Sequence, residues 1–299
     1  MRIAMGVEYD GSEFLGWQVQ RQEPTVQGCV ERALTRVADH EVRVTGSGRT
    51  DTGVHAVGQV AHFDSQADRS KRQWLLGANS NLPSGVSVLW IRPVDSSFHA
   101  RFSAFARTYR YLVLNRWIRP PLEARRMSWC REPMDAAKMH AAARVLRGEH
   151  DFSSFRASNC QARHAVREIQ EIVVQRSGDV VTLDVTANGF LYHMVRNIAG
   201  CLLKVGMGEA DVGWVRQVLD ARDRSVAAPT APAIWVSQRV CKRSSPTMGI
   251  RRSMTPRFLA IPPLTANWAL TPRRSINWTN SRAILLLSFP IRYHSRSSS

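Results

Sequence analysis

The stretch Gly46-Ser47-Gly48-Arg49-Thr50-Asp51-Thr52-Gly53-Val54-His55-Ala56 decides how this chain is read. It is a glycine-rich loop carrying one carboxylate, set between two segments, Val42–Gly46 and Gly58–Phe63, that read as strands. It is not a phosphate-binding loop, because Val54-His55 stands where Lys and Ser or Thr are needed. It is not a dinucleotide turn either, since Asp51 takes the place of the third glycine. Asp51-Thr52-Gly53 is the aspartic protease triplet, whose chemistry needs two carboxylates sharing one proton. The chain has no second Asp-Thr-Gly or Asp-Ser-Gly, so that reading requires a symmetric dimer. Asp and Gly are also ordinary turn formers. Arg49 lifts Asp51 above a turn residue. On an extended segment residues two apart share a face, and an arginine there is expected to keep the carboxylate ionised and able to act as a nucleophile.

Working outward, residues 2–9 alternate as a strand and end at the turn signal Asp10-Gly11-Ser12. Residues 25–38 place Val26, Val30, Ala33, Leu34 and Val37 on one helical face. A short helix near Arg69–Asn79 and a strand at Val86–Arg92 complete a first half. A second half opens with a strand at Thr108–Asn115, followed by a helix over Asp135–Leu146 that ends at Gly148. Glu168–Arg176 and Val180–Ala187 form a hairpin across Ser177-Gly178-Asp179. Phe190–Val205 reads as a helix with Leu191, Met194, Val195, Ile198, Leu202 and Val205 inward, and Val212–Leu219 as another. This order predicts an α+β fold in two halves, 1–104 and 105–233. Each half is an antiparallel or mixed sheet with helices on one face, and a cleft between them is a natural place for a site.

The formal net charge is +17, which favours a polyanionic partner, nucleic acid before membrane. Its distribution weakens that inference. Residues 234–299 hold 11 Lys or Arg and no Asp or Glu, so residues 1–233 carry only +6. Acidic residues make up on the order of a tenth of a globular chain. The segment is therefore expected to be an atypical basic tail, either disordered or the product of a reading-frame change near codon 233. Five cysteines without a C-x-x-C pair argue against a disulfide framework and a zinc site, and fit free thiols in a reducing cytoplasm. The histidines are scattered without ligand spacing, so no metal is expected, and no nucleotide cofactor motif is present. Glu8 and Asp10 stand where a signal peptide needs an apolar run, and Ala283–Leu287 is far too short to span a bilayer.

Gly48-Arg49-Thr50-Asp51-Thr52-Gly53-Val54-His55-Ala56 resembles the signature of the TruA family of tRNA pseudouridine synthases. Further blocks are similar to that family in the same order. They include Glu8-Tyr9-Asp10-Gly11-Ser12 with Gly16-Trp17-Gln18, Asn79-Ser80-Asn81-Leu82-Pro83, and Phe98-His99-Ala100-Arg101-Phe102-Ser103-Ala104. Arg107-Thr108-Tyr109-Arg110-Tyr111, Gly148-Glu149-His150-Asp151-Phe152 and Phe190-Leu191-Tyr192-His193-Met194-Val195-Arg196-Asn197-Ile198 extend the likeness over about residues 2–233. The resemblance implies the pseudouridine synthase fold, Asp51 as catalytic nucleophile, Tyr109 as the aromatic residue on the target base, and Arg196 as the basic partner of the carboxylate. With Arg49, Tyr109 and Arg196 are the expected substrate-binding residues.

The reaction so implied breaks the N-glycosidic bond of uridine, turns the base and rejoins it through carbon 5. It needs no cofactor. The carboxylate either adds to carbon 6 of the ring or assists elimination of the base, and the target must leave its stack at a cost of about a few kcal/mol. The resemblance further implies a cytoplasmic homodimer acting on uridines 38 to 40 of the tRNA anticodon arm. It stops near Thr230-Ala231-Pro232-Ala233, where Ile234-Trp235-Val236-Ser237 replaces a strand that lines the family's site. Loss of that strand is expected to open a sheet edge. The alternative is therefore a catalytically dead tRNA-binding homologue.

Overall fold

The computed structural model describes residues 1–21, 24–233 and the backbone of 236–242. The first half contains strand β1 (Arg2–Tyr9), helix α1 (Val26–Ala38), strands β2 (Val44–Gly46) and β3 (Ala56–Asp64), helix α2 (Lys71–Asn81) and strand β4 (Val86–Val94). The second holds β5 (Ala104–Asn115), β6 (Ser128–Cys130), α3 (Ala136–Ala143), β7 (Gly148–Asp151), β8 (Val166–Ser177), β9 (Val180–Ala187), α4 (Met194–Gly206) and α5 (Trp214–Ala221). The last strand is β10 (Val236–Lys242).

Local chemistry explains the helices. Thr25 caps α1 by accepting from the Gly28 amide at 3.3 Å, and Val26, Val30, Ala33 and Leu34 recur on its buried face. Ser70 and Gln73 form a reciprocal capping box on α2, and Asp135 accepts from the amides of Ala137 and Lys138 to start α3. Among the described residues two large apolar cores result, with a small third cluster of Leu112, Leu114 and Met127. Ile3, Val7, Leu34, Phe63 and Trp74 belong to the first half, and Tyr111, Leu146, Phe155, Ile169, Val185 and Ile198 to the second.

The α+β class and the two halves agree with the sequence. Their sheets, however, are one. The strand order is β4-β1-β3-β10-β5-β9-β8-β7, with β2 on β3 and β6 on β5. β10 supplies the join: it pairs in parallel with Ala56 and Gly58 and antiparallel with residues 104–111. The expectation of an open edge after Ala233 is thereby corrected. The backbone of Val236–Lys242 fills the gap between the halves, because an extended segment there satisfies the free hydrogen-bonding groups of both β3 and β5. Residues 243–299, where the rest of the expected tail falls, lie outside the described residues.

β2 takes only Ala61–Phe63 of the β3 edge, and β10 begins at the other end of that edge. The loop from Ser47 to His55 therefore leaves the sheet at its middle, beside the junction. Both flanks of the loop are pinned. The Ser47 amide donates to the Val60 carbonyl at 2.8 Å, and buried Gln59 donates to the Gly48 carbonyl at 2.6 Å. From the other side the Tyr9 hydroxyl meets Thr50 Oγ1 at 2.8 Å and the Trp17 amide donates to the Thr50 carbonyl at 3.1 Å. Gly16 makes the approach possible: its φ is +90°, and a β-carbon there would lie 2.4 Å from the Thr50 oxygen. Gly16→Ala is expected to cost about 1–3 kcal/mol in denaturant unfolding. Gly58→Ala, with no atom of the described residues within 4 Å of its would-be β-carbon, should stay within about 0.5 kcal/mol.

Candidate active site

Asp51 sits on this pinned loop with its side chain 24% exposed. The facing wall comes from α4. Arg196 Nη1 lies 3.3 Å from Asp51 Oδ2, and the two residues are 145 apart in sequence. The guanidinium is aimed by the segment that follows α5. Arg196 Nε donates to the Ala231 carbonyl at 2.8 Å, and the Ala231 amide donates back to the Arg196 carbonyl at 3.2 Å. That segment is itself held. Thr230 Oγ1 donates to the buried Asn197 Oδ1 at 2.6 Å, and the Tyr111 hydroxyl donates to the Pro232 carbonyl at 3.2 Å.

The structure brings Asp51, Tyr109, Arg196 and Arg49 to one cleft of about 1160 Å³ between the halves. Tyr109 projects from β5, and its ring meets the edge of Phe190 at 4.8 Å and 84°. Burial pushes its phenol well above the usual tyrosine range, so the hydroxyl keeps its proton at any physiological pH. Arg49 does not play the part expected of it. It is exposed and donates to Gln161 Oε1 at 3.5 Å, while the cation against the carboxylate is Arg196. The face-sharing argument fails because the loop turns between residues 49 and 53, where Val54 donates to the Asp51 carbonyl at 3.1 Å and Gly53 takes a φ of +78°. Two residues apart then no longer means one face.

His193 went unnoticed in the sequence. Its Nε2 lies 3.3 Å from the same Asp51 oxygen that faces Arg196. The expected helix over Phe190–Val205 starts four residues late, at Met194, because His193 adopts a left-handed conformation at φ 59°. Left-handed backbone is costly for a non-glycine residue. It turns Phe190, Leu191, Tyr192 and His193 out of the helix and into the cleft wall. Tyr192 stacks on His193 at 3.9 Å. The spacing of three between His193 and Arg196 was the available signal. Burial lowers the imidazole's pKa from its ordinary value of 6.5. Asp51 raises it in opposition, and Arg196 and Arg224 lower it further. The carboxylate thus faces one permanent cation and one imidazole kept largely neutral at pH 7.

A family model described as tRNA pseudouridine synthase matches residues 5–103 and 142–236, which include Asp51 and Arg196. The chain belongs to the tRNA pseudouridine synthase family. It is accordingly an isomerase acting on tRNA. The match runs past Ala233 into the first residue of β10. The tRNA pseudouridine synthase A of Methylococcus capsulatus is 54% identical over 232 residues, covering 78% of this chain and 86% of that protein. The enzyme of the same name from Xylella fastidiosa strain M23 is 55% identical over 234 residues, covering 78% of this chain and 91% of that protein. Among the described residues of this tRNA pseudouridine synthase, no helix is long and apolar enough to cross a membrane.

The environment of His193 has a measurable consequence. Its imidazole resonances should titrate below 6.5, and Asp51→Asn should move that titration lower still by removing the anion that raises it. The linked effect on stability has a definite sign. As pH falls through 6.5, the unfolded chain takes up the proton before the folded one, so stability drops on acidification. His193→Gln should flatten that part of the pH profile of unfolding. An imidazole that titrates above 6.5 refutes the assignment.

Proposed function

We propose that this enzyme converts uridine to pseudouridine in the anticodon arm of tRNA, at positions 38 to 40, with Asp51 as the nucleophile. The observation that carries this reading is the 3.3 Å contact between Asp51 and Arg196 across the two halves. A lone carboxylate with a fixed cationic partner, in a cleft that holds an aromatic phenol, suits attack on an electron-poor ring or sugar carbon. It does not suit protease chemistry, which needs a second carboxylate; Asp51 has Arg196 and His193 beside it instead.

The isomerisation balances without a cofactor. The bond between the ribose carbon 1′ and N1 breaks, the uracil turns, carbon 1′ bonds to carbon 5, and the carbon 5 proton leaves as N1 gains one. The Asp51 carboxylate assists either by bonding to carbon 6 or by easing departure of the base. Arg196 holds that carboxylate in place through all steps. Tyr109 contacts the flipped base. The cationic wall of Arg49, Arg101, Arg107 and Arg167 around the cleft meets the phosphates, which makes affinity salt-dependent. We read the protein as a cytoplasmic homodimer, in keeping with the free thiols of Cys29, Cys130, Cys160 and Cys201.

The second reading, a tRNA-binding homologue without turnover, rested on the loss of a central strand. The strand at Val236–Lys242 favours the active reading. On an unmodified tRNA transcript, Asp51→Asn should slow pseudouridine formation by at least ~10³-fold while the RNA still binds. Replacing uridines 38 to 40 by cytidine should abolish product with the wild-type protein. Equal activity of wild type and Asp51→Asn would remove Asp51 from the chemistry, and product formed on the cytidine transcript would remove the assignment of positions.

A further inference from the structure

We propose that Phe102 is a stacking platform for an unpaired nucleobase of the RNA, at the rim of the cleft that holds Asp51. The inference rests on the reading that this cleft binds RNA. A single exposed apolar side chain is ordinary. Phe102 differs in how it is held. Phe102 is 76% exposed although it ends a chain of ring contacts, edge-on between His62 and His99 and tilted between His99 and Phe102. Buried His62 lies 4.9 Å from His99, and His99 lies 4.3 Å from Phe102 at an interplanar angle of 31°. Phe102 therefore rests on His99, the Arg101 guanidinium lies over the ring at 5.8 Å, and among the described residues most of the side chain faces solvent.

The turn that carries Phe102 is rigid. The amides of Arg101 and Phe102 both donate to His99 Nδ1, at 3.2 and 3.3 Å. The His99 amide donates to Ser103 Oγ at 3.1 Å, and the Ser103 amide returns a bond to the His99 carbonyl at 2.8 Å. Ala100 is buried and donates to His62 Nδ1 at 3.2 Å. The ring is thus fixed outward at little further loss of freedom on binding.

Arg107 ties this turn to the catalytic loop. Its guanidinium donates to the Arg101 carbonyl at 2.9 Å, to the Ser47 carbonyl at 2.8 Å and to the Asn188 carbonyl at 3.1 Å. The residue before Phe102 and the residue four before Asp51 therefore share one cation. The Arg101 guanidinium lies 5.8 Å from the Phe102 ring centroid and also lines the cleft. A π-face beside a cation matches a base beside its phosphate, which is how single-stranded nucleic acid is held. No hydrogen-bond group on Phe102 reads a base edge, so the platform accepts any base.

The test uses the full-length protein and unmodified anticodon-arm hairpin transcripts, each with one loop nucleotide made abasic. Phe102→Ala should weaken binding of the intact hairpin about tenfold, and Phe102→Trp should restore it. One abasic position should weaken the wild-type complex by a similar factor and leave the Phe102→Ala complex unchanged, which is the signature of direct coupling. Binding by Phe102→Ala within about twofold of wild type overturns the platform, as do abasic losses that multiply with the mutation at every position. A change in sedimentation of the RNA-free protein on Phe102→Ala also overturns it, because the ring would then be covered by a second copy. Pseudouridine formation on the same intact hairpin separates the two readings. Coupling without product sinks the proposed reaction and keeps the platform; product without coupling does the reverse.

Discussion

Everything at this site depends on a carboxylate from one half of the protein meeting a guanidinium from the other. The 3.3 Å contact of Asp51 and Arg196 brings the loop that bears Asp51 onto α4. Such a contact is weak if its partners are free to wander. Here neither is. The loop is hydrogen-bonded to β3 on one side and to the Tyr9–Trp17 segment on the other. Arg196 is locked to Ala231, and β10 fixes the distance between the halves by pairing with both. The geometry is set by backbone hydrogen bonds, and the side-chain charges are placed by them.

The same economy of placement governs protonation. Tyr9, Tyr109 and Tyr111 are all held protonated by burial, with Tyr111 pushed up to about 12. His193 is pushed the other way by burial and by the nearby arginines. A cleft walled by arginine and neutral rings attracts a polyanion while leaving one carboxylate as its chemically distinct group. The net charge of the whole chain says little about this, because residues 1–233 carry only a small part of it.

The periodic elements were legible. The helix expected at residues 25–38 is found at Val26–Ala38, and the hairpin across Ser177-Gly178-Asp179 is present with a slightly longer first arm and its second arm where expected. Leu191, Met194, Val195, Ile198, Leu202 and Val205 are all buried. Short elements escaped: Ser128–Cys130 and Gly148–Asp151 have too few residues to show a period, and become strands only because β5 and β8 offer an edge. The start of α4 was misplaced for a related reason. Apolar spacing runs on through Leu191, but tertiary packing imposes the left-handed turn at His193.

By itself, the sequence determined the two α+β halves, the loop that bears Asp51 and the ordered motifs that mark the family. Those properties live in local patterns of apolar residues, glycines and a few charged groups. Only the tertiary structure decided that Arg49 turns away to Gln161, that His193 joins the carboxylate, and that the two sheets are one. Each of these is a meeting of segments more than a hundred residues apart. No spacing along the chain encodes such a distance. Arg49 is two residues from Asp51 and faces Gln161, whereas Arg196 is 145 residues away and touches the carboxylate. Backbone direction, fixed by the sheet and by one left-handed residue, settled the difference.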